Sequence, residues 1–180
     1  KPFLTDKKQN LKHSLLEKIN LKKCCISACP YYIFGMERGF NEVHRVYLDK
    51  NWQDPKTIIN KALNFLEKNN DNFFLLCHFL QPHAPYVAPS SKIKFTENDL
   101  QKLKKRIQEG GKLTQDEISN LKIAYGDNLK WIDQELAPLI TKLKKLGAEI
   151  IVTSDHGELL GEYNQVEHPR GVKECEELCH

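Results

Sequence analysis

Two short, almost continuous apolar runs separated by a long amphipathic stretch constrain the fold of this chain most. The first is FFLLCHFL, residues 73–80, and the second is AEIIVT, residues 148–153. Between them, residues 116–146 place apolar side chains at steps of three and four. This spacing predicts a long α-helix that kinks or restarts at Pro138 and ends at Gly147. Short apolar runs are typical of strands buried on both faces, so we predict an α/β fold with a largely parallel sheet.

The N-terminal part of the chain gives weaker signals. We predict a short helix over residues 9–20, where leucine and isoleucine recur at helical spacing. The following stretch LKKCCISACPYY, residues 21–32, suits a strand that runs into a loop at Pro30. Residues 35–47 (GMERGFNEVHRVY) contain two glycines and no clear periodicity, so we expect irregular structure there.

Two further segments are expected to be helical. Asp54 as N-cap and Pro55 at the first helical position predict a helix that runs to about Lys68. Residues 92–112 are rich in lysine and include KLKKR, which predicts a solvated helix or a helical insertion. A basic docking patch is the alternative interpretation of this segment.

Length and charge exclude several classes of protein. The 180 residues suffice for one domain with its own core, and we expect a single domain over residues 1–180. A formal net charge of +3 is too small to indicate a nucleic-acid partner. No apolar run reaches the length of a membrane span, about 20 residues, and the start of the chain lacks the apolar centre of a signal peptide. We expect a soluble protein and favour the cytoplasm, while the sequence settles neither the compartment nor the oligomeric state.

Six cysteines are present, and none of them forms a C-x-x-C pair. The most metal-like grouping is Cys175, Cys179 and His180, which Cys24 or Cys29 could join to complete a zinc site. Because the spacing is loose, we favour buried or free thiols. Disulfides are the alternative in an exported protein or one from a very hot habitat.

Polar residues follow both apolar runs. His83 comes soon after the first run, and Asp155 with His156 follows the second. Ligands of open α/β sheets bind beyond the carboxyl ends of the strands, so these side chains could meet there. Adjacent Asp and His offer an oxygen and a nitrogen to a divalent metal, and Gly157 allows a sharp turn. The alternative is an N-cap aspartate beside a surface histidine.

The remaining candidates are histidines and one arginine. His83 lies between two prolines, and a stiff loop of this kind suits the binding of an anionic group. His168, in EHPRG, could return to the same site, and Arg170 is a second candidate for anion binding. Solvated loop residues are the alternative in each case. His78, inside the first apolar run, is expected to be a core histidine hydrogen-bonded to a neighbour.

In their order along the chain, these motifs resemble the sulfatase branch of the alkaline phosphatase superfamily. The resemblance rests on GMERGFNEVHRV, FFLLCHFLQPHAPY, AYGDNLKWIDQELAPLITKLKKLGAEIIVTSDHGELLGE and EHPRG. The family has a strand leading to a PHxPY-like loop, a long helix with a Y…D pattern and a strand ending in SDHGE. Asn41 stands where its "rGFD" segment has Asp. The resemblance covers roughly residues 24–180 and implies an alkaline-phosphatase-like sheet with helices on both faces.

The resemblance also implies roles for individual residues. Asp155 and His156 match the family's second pair of metal ligands, and His83 matches a histidine that contacts the substrate's sulfate or phosphate group. His168 falls where many members place a further polar active-site residue, which could assist the leaving group. Asp133 in the long helix is expected to be structural. The implied cofactor is a divalent cation, calcium first, with manganese, magnesium or zinc as alternatives, and the implied partner is a small anionic sulfate or phosphate ester.

The sequence also departs from the family pattern. The C/S-x-P-x-R motif that carries the nucleophile does not occur, since Cys29-Pro30-Tyr31 has neither its spacing nor its arginine. The family's first metal-binding acids have no counterpart, and CEELCH stops where relatives continue. We therefore expect a partial domain of a sulfate-ester hydrolase that is inactive by itself. Alternatives are a phosphoryl-transfer or phosphoesterase relative, and a truncated, non-catalytic domain that binds an anion or a partner.

Overall fold

The computed structural model describes residues 14–29, 37–49, 54–69 and 71–168. It is an α/β structure whose chain divides into two compact units. One unit comprises Lys1–Leu80 with Lys144–Leu146, and the other comprises Gln81–Leu143 with Gly147–His180. Within the described ranges, no helix combines the length and the apolar character needed to cross a membrane. The following assignments lie outside these ranges: residues 9–13 of the predicted first helix, the loop at Pro30, Arg170, and the group Cys175, Cys179 and His180.

The first unit contains a three-stranded, fully parallel sheet. Its strands are β1 (Lys22–Ser27), β2 (Glu42–Arg45) and β3 (Phe73–His78), in the order β2-β1-β3. The predicted parallel sheet is confirmed. β1 is almost completely buried, whereas β3 is half-buried and lies at an edge of the described sheet. The prediction that FFLLCHFL is covered on both faces is wrong for the described structure, because Phe74 is 37% exposed and the other residues of β3 are only half-buried.

The stretch predicted to be irregular contains β2 and then a 3-10 turn at Val46–Leu48. This prediction is wrong. β2 has only four residues, and three of them are polar, so its own side chains give little strand signal. Its strand structure comes from pairing with β1, which a single sequence does not reveal.

The described part of the predicted first helix forms one 3-10 turn, Leu15–Lys18. Ser14 and Glu17 form a capping box, in which Ser14 Oγ accepts from the backbone and Ser14 N–H donates to the Glu17 carboxylate at 3.1 Å. The chain enters β1 at Lys22, which leaves no room for a longer helix. The predicted α-helix is wrong over these residues.

Helix α1 (Pro55–Lys68) matches its prediction. Asp54 Oδ1 accepts a hydrogen bond of 2.9 Å from a backbone N–H of the first turn, and Pro55 occupies the first helical position. The apolar face of α1 packs against β1 and β3. Phe65 meets Phe73 edge-on, with 6.3 Å between the ring centroids. The helix therefore covers one face of the described sheet.

The second unit is built around α2 (Glu97–Gln108) and most of α3 (Gln115–Lys145). These helices and the segments beside them share a core of buried residues: Ala84, Tyr86, Leu100, Leu103, Leu121, Ala124 and Val166. α2 lies within the Lys-rich segment, but its Leu100 and Leu103 are buried, so one face of this helix is not solvated. That the segment is an insertion in a single domain stays a prediction.

Helix α3 is continuous over 31 residues, and Pro138 lies inside it. The prediction of a long helix is confirmed, whereas a restart at Pro138 is not observed. α3 ends at Lys145, and Gly147 follows it as the predicted C′ residue, with a φ of +68°. The next N–H, of Ala148, donates to the Leu143 carbonyl at 3.1 Å, as in a Schellman motif.

Residues 148–153, which were predicted to be a short buried strand, form no strand. Ile151 is 90% exposed and Val152 is 83% exposed. A strand needs a neighbour that takes up its backbone hydrogen bonds, and no described strand pairs with this segment. The β-branched residues favour an extended chain here, but extension without a partner does not make a strand.

Leu121→Ala should lower the free energy of unfolding by about 2–5 kcal/mol, because truncating a fully buried leucine leaves a cavity. Leu129→Ala on the same helix is the matched control. Leu129 is 42% exposed, and its truncation should cost less than about 1 kcal/mol. Urea unfolding followed by circular dichroism measures both values. Equal losses in the two variants would contradict the core position of Leu121.

Candidate functional site

The loop that carries His83 is held by one buried side chain of α3. Asn128 is 1% exposed, and its Oδ1 accepts a hydrogen bond of 2.8 Å from Ala88 N, while Nδ2 donates to Pro85 O at 3.4 Å. Tyr86 exchanges two backbone hydrogen bonds of 2.9 Å with Phe95. These contacts fix the backbone on the C-terminal side of His83.

A buried carboxylate lies at the centre of a histidine cluster. The Glu158 side chain is 6% exposed, and its Oε1 is 3.9 Å from His83 Nε2 and 3.4 Å from His168 Nδ1. One ligand-type atom from each of these three residues lies within 4.8 Å of the others. Glu158 Oε2 is buried and makes no hydrogen bond with the described residues. An ionised carboxylate in such surroundings requires protons or a cation beside it.

The structure brings three of the predicted site residues together. The ring centroids of His83 and His168 are 4.9 Å apart, and those of His156 and His168 are 4.3 Å apart. Asp155 stays at the margin, with its side chain 78% exposed. Its Oδ1 accepts from the His156 N–H at 3.0 Å, and its Oδ2 is 3.8 Å from His156 Nε2. Asp155 therefore adjoins the cluster through His156 and does not contribute to the group around Glu158.

Backbone carbonyls fix the tautomers of two of these histidines. His83 Nδ1 lies 2.8 Å from Ala84 O, and His156 Nδ1 lies 2.9 Å from Gly157 O. Because a carbonyl oxygen only accepts, each Nδ1 carries a proton, and Nε2 of the neutral ring presents a lone pair. His83 Nε2 lies 3.9 Å from Glu158 Oε1. A cation placed between the two atoms could accept an electron pair from each of them.

Comparison with known proteins places the chain in a family. The profile of the family described as Sulfatase matches residues 29–177 of the 180. The chain belongs to the sulfatase family. No curated protein and no solved structure matches it. Membership confirms the resemblance seen in the motifs, and it implies an alkaline-phosphatase-like fold and the divalent metal that sulfatases typically bind.

The donor set of this family member fits a divalent cation. Metal-bound histidines usually donate their second ring N–H to a carbonyl or a carboxylate, as His83 does here. The spacings of 3.4 and 3.9 Å between Glu158 Oε1 and the two ring nitrogens are near those of a tetrahedral zinc site. In such a site, bonds of about 2.1 Å separate the ligand atoms by about 3.4 Å. Two imidazoles and one carboxylate suit zinc better than calcium.

Two tyrosines pack beside Glu158. The rings of Tyr86 and Tyr125 meet edge-on, with 5.7 Å between their centroids. Burial raises the pKa of both hydroxyls, and the Glu158 carboxylate raises the pKa of each further. Both phenols are therefore protonated at neutral pH, and they can donate hydrogen bonds but do not act as bases.

His168 follows a short hairpin that an ion pair ties to α2. The hairpin consists of β4 (Leu159–Leu160) and β5 (Val166–Glu167), which are antiparallel. Glu167 is 8% exposed, and Lys104 Nζ lies 2.5 Å from its Oε2. The Lys-rich segment thus holds the residue that precedes His168. This contact gives Lys104 a structural role that lysine content alone does not indicate.

Glu158 was not predicted as a site residue, although it is the last residue of the SDHGE motif that contains Asp155 and His156. The signal visible in the sequence was an acidic residue two positions after His156. The hydrogen bond predicted for His78 is confirmed, since its Nδ1 lies 3.2 Å from Ser27 Oγ, but the residue is half-buried and does not belong to the core. Asp133 is exposed on α3, so its structural role stays a prediction.

Four of the six cysteines lie in the described ranges. The four cysteines there are free, and two of them, Cys24 and Cys25, are fully buried. Buried or free thiols are therefore confirmed for this part of the chain.

Lys104→Met should lower the free energy of unfolding by about 1–3 kcal/mol, because it leaves the buried Glu167 carboxylate without its cation. Lys105→Met is the matched control on the next residue of α2. The Lys105 side chain is 77% exposed and pairs only loosely with Glu109, at 3.9 Å. Its loss should change stability by less than about 0.5 kcal/mol. Urea denaturation of both variants is the measurement. Equal losses in the free energy of unfolding would show that the Lys104–Glu167 pair stabilises the fold no more than the exposed Lys105–Glu109 pair does.

Proposed function

We propose that this member of the sulfatase family hydrolyses sulfate esters with a divalent metal, at a site formed by His83, Glu158 and His168. The observation that supports this most strongly is the buried Glu158 carboxylate facing two imidazole nitrogens at 3.4 and 3.9 Å. Burying a carboxylate costs several kcal/mol unless charge and hydrogen bonds compensate it. A core that served packing alone would be more stable with an apolar residue there.

Three atoms would hold the cation: His83 Nε2, Glu158 Oε1 and His168 Nδ1. Asp155 and His156 remain proposed ligands on the same side, next to the cluster through the His156 ring. When bound, the cation would neutralise charge on the non-bridging oxygens of the ester. The two imidazoles favour zinc, so the sequence-based preference for calcium is the part of the proposal that this donor set supports least.

The cluster is open on its histidine side and closed on its carboxylate side. The side chains of His83, His156 and His168 are 33%, 29% and 26% exposed, whereas Glu158 is 6% exposed. An anionic ester that approaches from solvent would therefore meet imidazoles before it meets the carboxylate. The help proposed from His168 to the leaving group uses this open side. With its Nδ1 on the Ala84 carbonyl and its Nε2 on the cation, His83 would contact the sulfate group only through that cation.

The decisive experiment follows hydrolysis of an aryl sulfate and of the matching aryl phosphate by protein produced from its whole reading frame. The whole reading frame is needed because these 180 residues contain no C/S-x-P-x-R motif. We expect the aryl sulfate to be hydrolysed. This activity should be lost when a chelator removes the metal and should be restored by zinc. His83→Ala and His168→Ala should each lower kcat/KM by about 10²-fold or more, the range of acid–base and electrophilic groups. Lys105→Ala, an exposed change on α2, should leave kcat/KM unchanged.

Each departure from this pattern has a defined meaning. If only the aryl phosphate is hydrolysed, the substrates are phosphate esters and not sulfate esters. Wild-type kcat/KM in both histidine variants would contradict the proposed site. If neither ester is hydrolysed but sulfate ion still binds, the hydrolase proposal fails and a non-catalytic anion-binding domain takes its place.

A further inference from the structure

A second group of metal-ligand side chains lies in the first unit, and strand register creates it. Cys24 of β1 lies directly opposite Glu42 of β2, and the pair two residues along is Ile26 with His44. Paired residues of neighbouring strands, and residues two apart on one strand, point to the same face of a sheet. Cys24, Glu42 and His44 therefore share one face.

The three side chains are close enough to bind one ion. A ligand-type atom from each lies within 4.8 Å of the other two, and His44 Nε2 is 3.8 Å from Glu42 Oε2. Cys24 is fully buried, whereas the Glu42 and His44 side chains are 39% and 36% exposed. A cation could thus enter from the solvent side, with the thiol as the inner ligand.

The donor chemistry narrows the choice of ion. A thiolate, a carboxylate and an imidazole are all ligands of zinc, and the thiolate disfavours calcium and magnesium. Three protein ligands leave the fourth tetrahedral position to water. We propose that Cys24, Glu42 and His44 form a zinc site with one open position. It is separate in its residues from the His83–Glu158–His168 group and does not depend on the proposed hydrolase activity.

The charges around the thiol determine how the ion would bind. Burial, and after it the Glu42 carboxylate, raises the pKa of Cys24 to about 12, whereas Lys22 acts in the opposite direction. Lys22 Nζ lies 3.6 Å from Glu42 Oε1, so the other carboxylate oxygen is the one that faces His44. The thiol is protonated at neutral pH, and formation of the sulfur–zinc bond releases this proton to solvent. The cation would then take the place of this proton on the sulfur.

Cobalt(II), a spectroscopic substitute for zinc, tests the site directly. Titration of the whole chain should give a near-ultraviolet thiolate-to-cobalt charge-transfer band that saturates and that disappears when zinc is added. The His83–Glu158–His168 group has no sulfur, so cobalt bound there does not contribute to this band. Cys24→Ser should abolish the band. Cys25→Ser is the matched control, because Cys25 is the next residue, is equally buried and points to the opposite face of β1.

A second variant keeps the test valid if Cys24→Ser does not fold. Glu42→Gln changes a half-exposed side chain without removing volume, and it should weaken cobalt binding at least about tenfold. A band that persists unchanged in Cys24→Ser or Glu42→Gln would overturn the proposal. So would a band that is lost in Cys175→Ser or Cys179→Ser instead, and so would the absence of any charge-transfer band in the wild type.

Discussion

The burial of one carboxylate, Glu158, is the constraint on which the rest of the site depends. Its side chain is almost completely enclosed, and the imidazoles of His83 and His168 and the hydroxyl of Tyr86 lie beside it. The raised pKa of Tyr86 keeps that hydroxyl neutral, so it offers a proton but no positive charge. Among the described residues, His83 and His168 make the ion-pair contacts of Glu158, so protons or a metal ion on these imidazoles can compensate its charge.

The surrounding structure holds these groups in place through a few buried polar contacts. Asn128 of α3 fixes the loop after His83, and the Lys104–Glu167 pair fixes the strand before His168. Both contacts belong to the same compact unit as Glu158. Since the site residues come from well-separated parts of the sequence, their geometry depends on these anchors more than on local helix or strand preference.

Local signals in the sequence predicted what is local in the structure. Asp54 and Pro55 start α1 because a cap and a proline act within one turn, and Gly147 ends α3 for a similar reason. Pairing between distant segments was harder to predict. β2 is polar and becomes a strand only beside β1, while residues 148–153 look like a strand and lack a described partner. The motif order identified the family and three of the clustered histidines, but the burial that makes Glu158 central is a tertiary property.

Anomalous diffraction from crystals grown with zinc would test the central claim most directly. The account predicts a zinc peak bonded to His83 Nε2, Glu158 Oε1 and His168 Nδ1, at about 2.0–2.2 Å from each. If crystals grown with saturating zinc show no ion bonded to these three atoms, the proposed site is contradicted, whether or not zinc binds elsewhere on the chain.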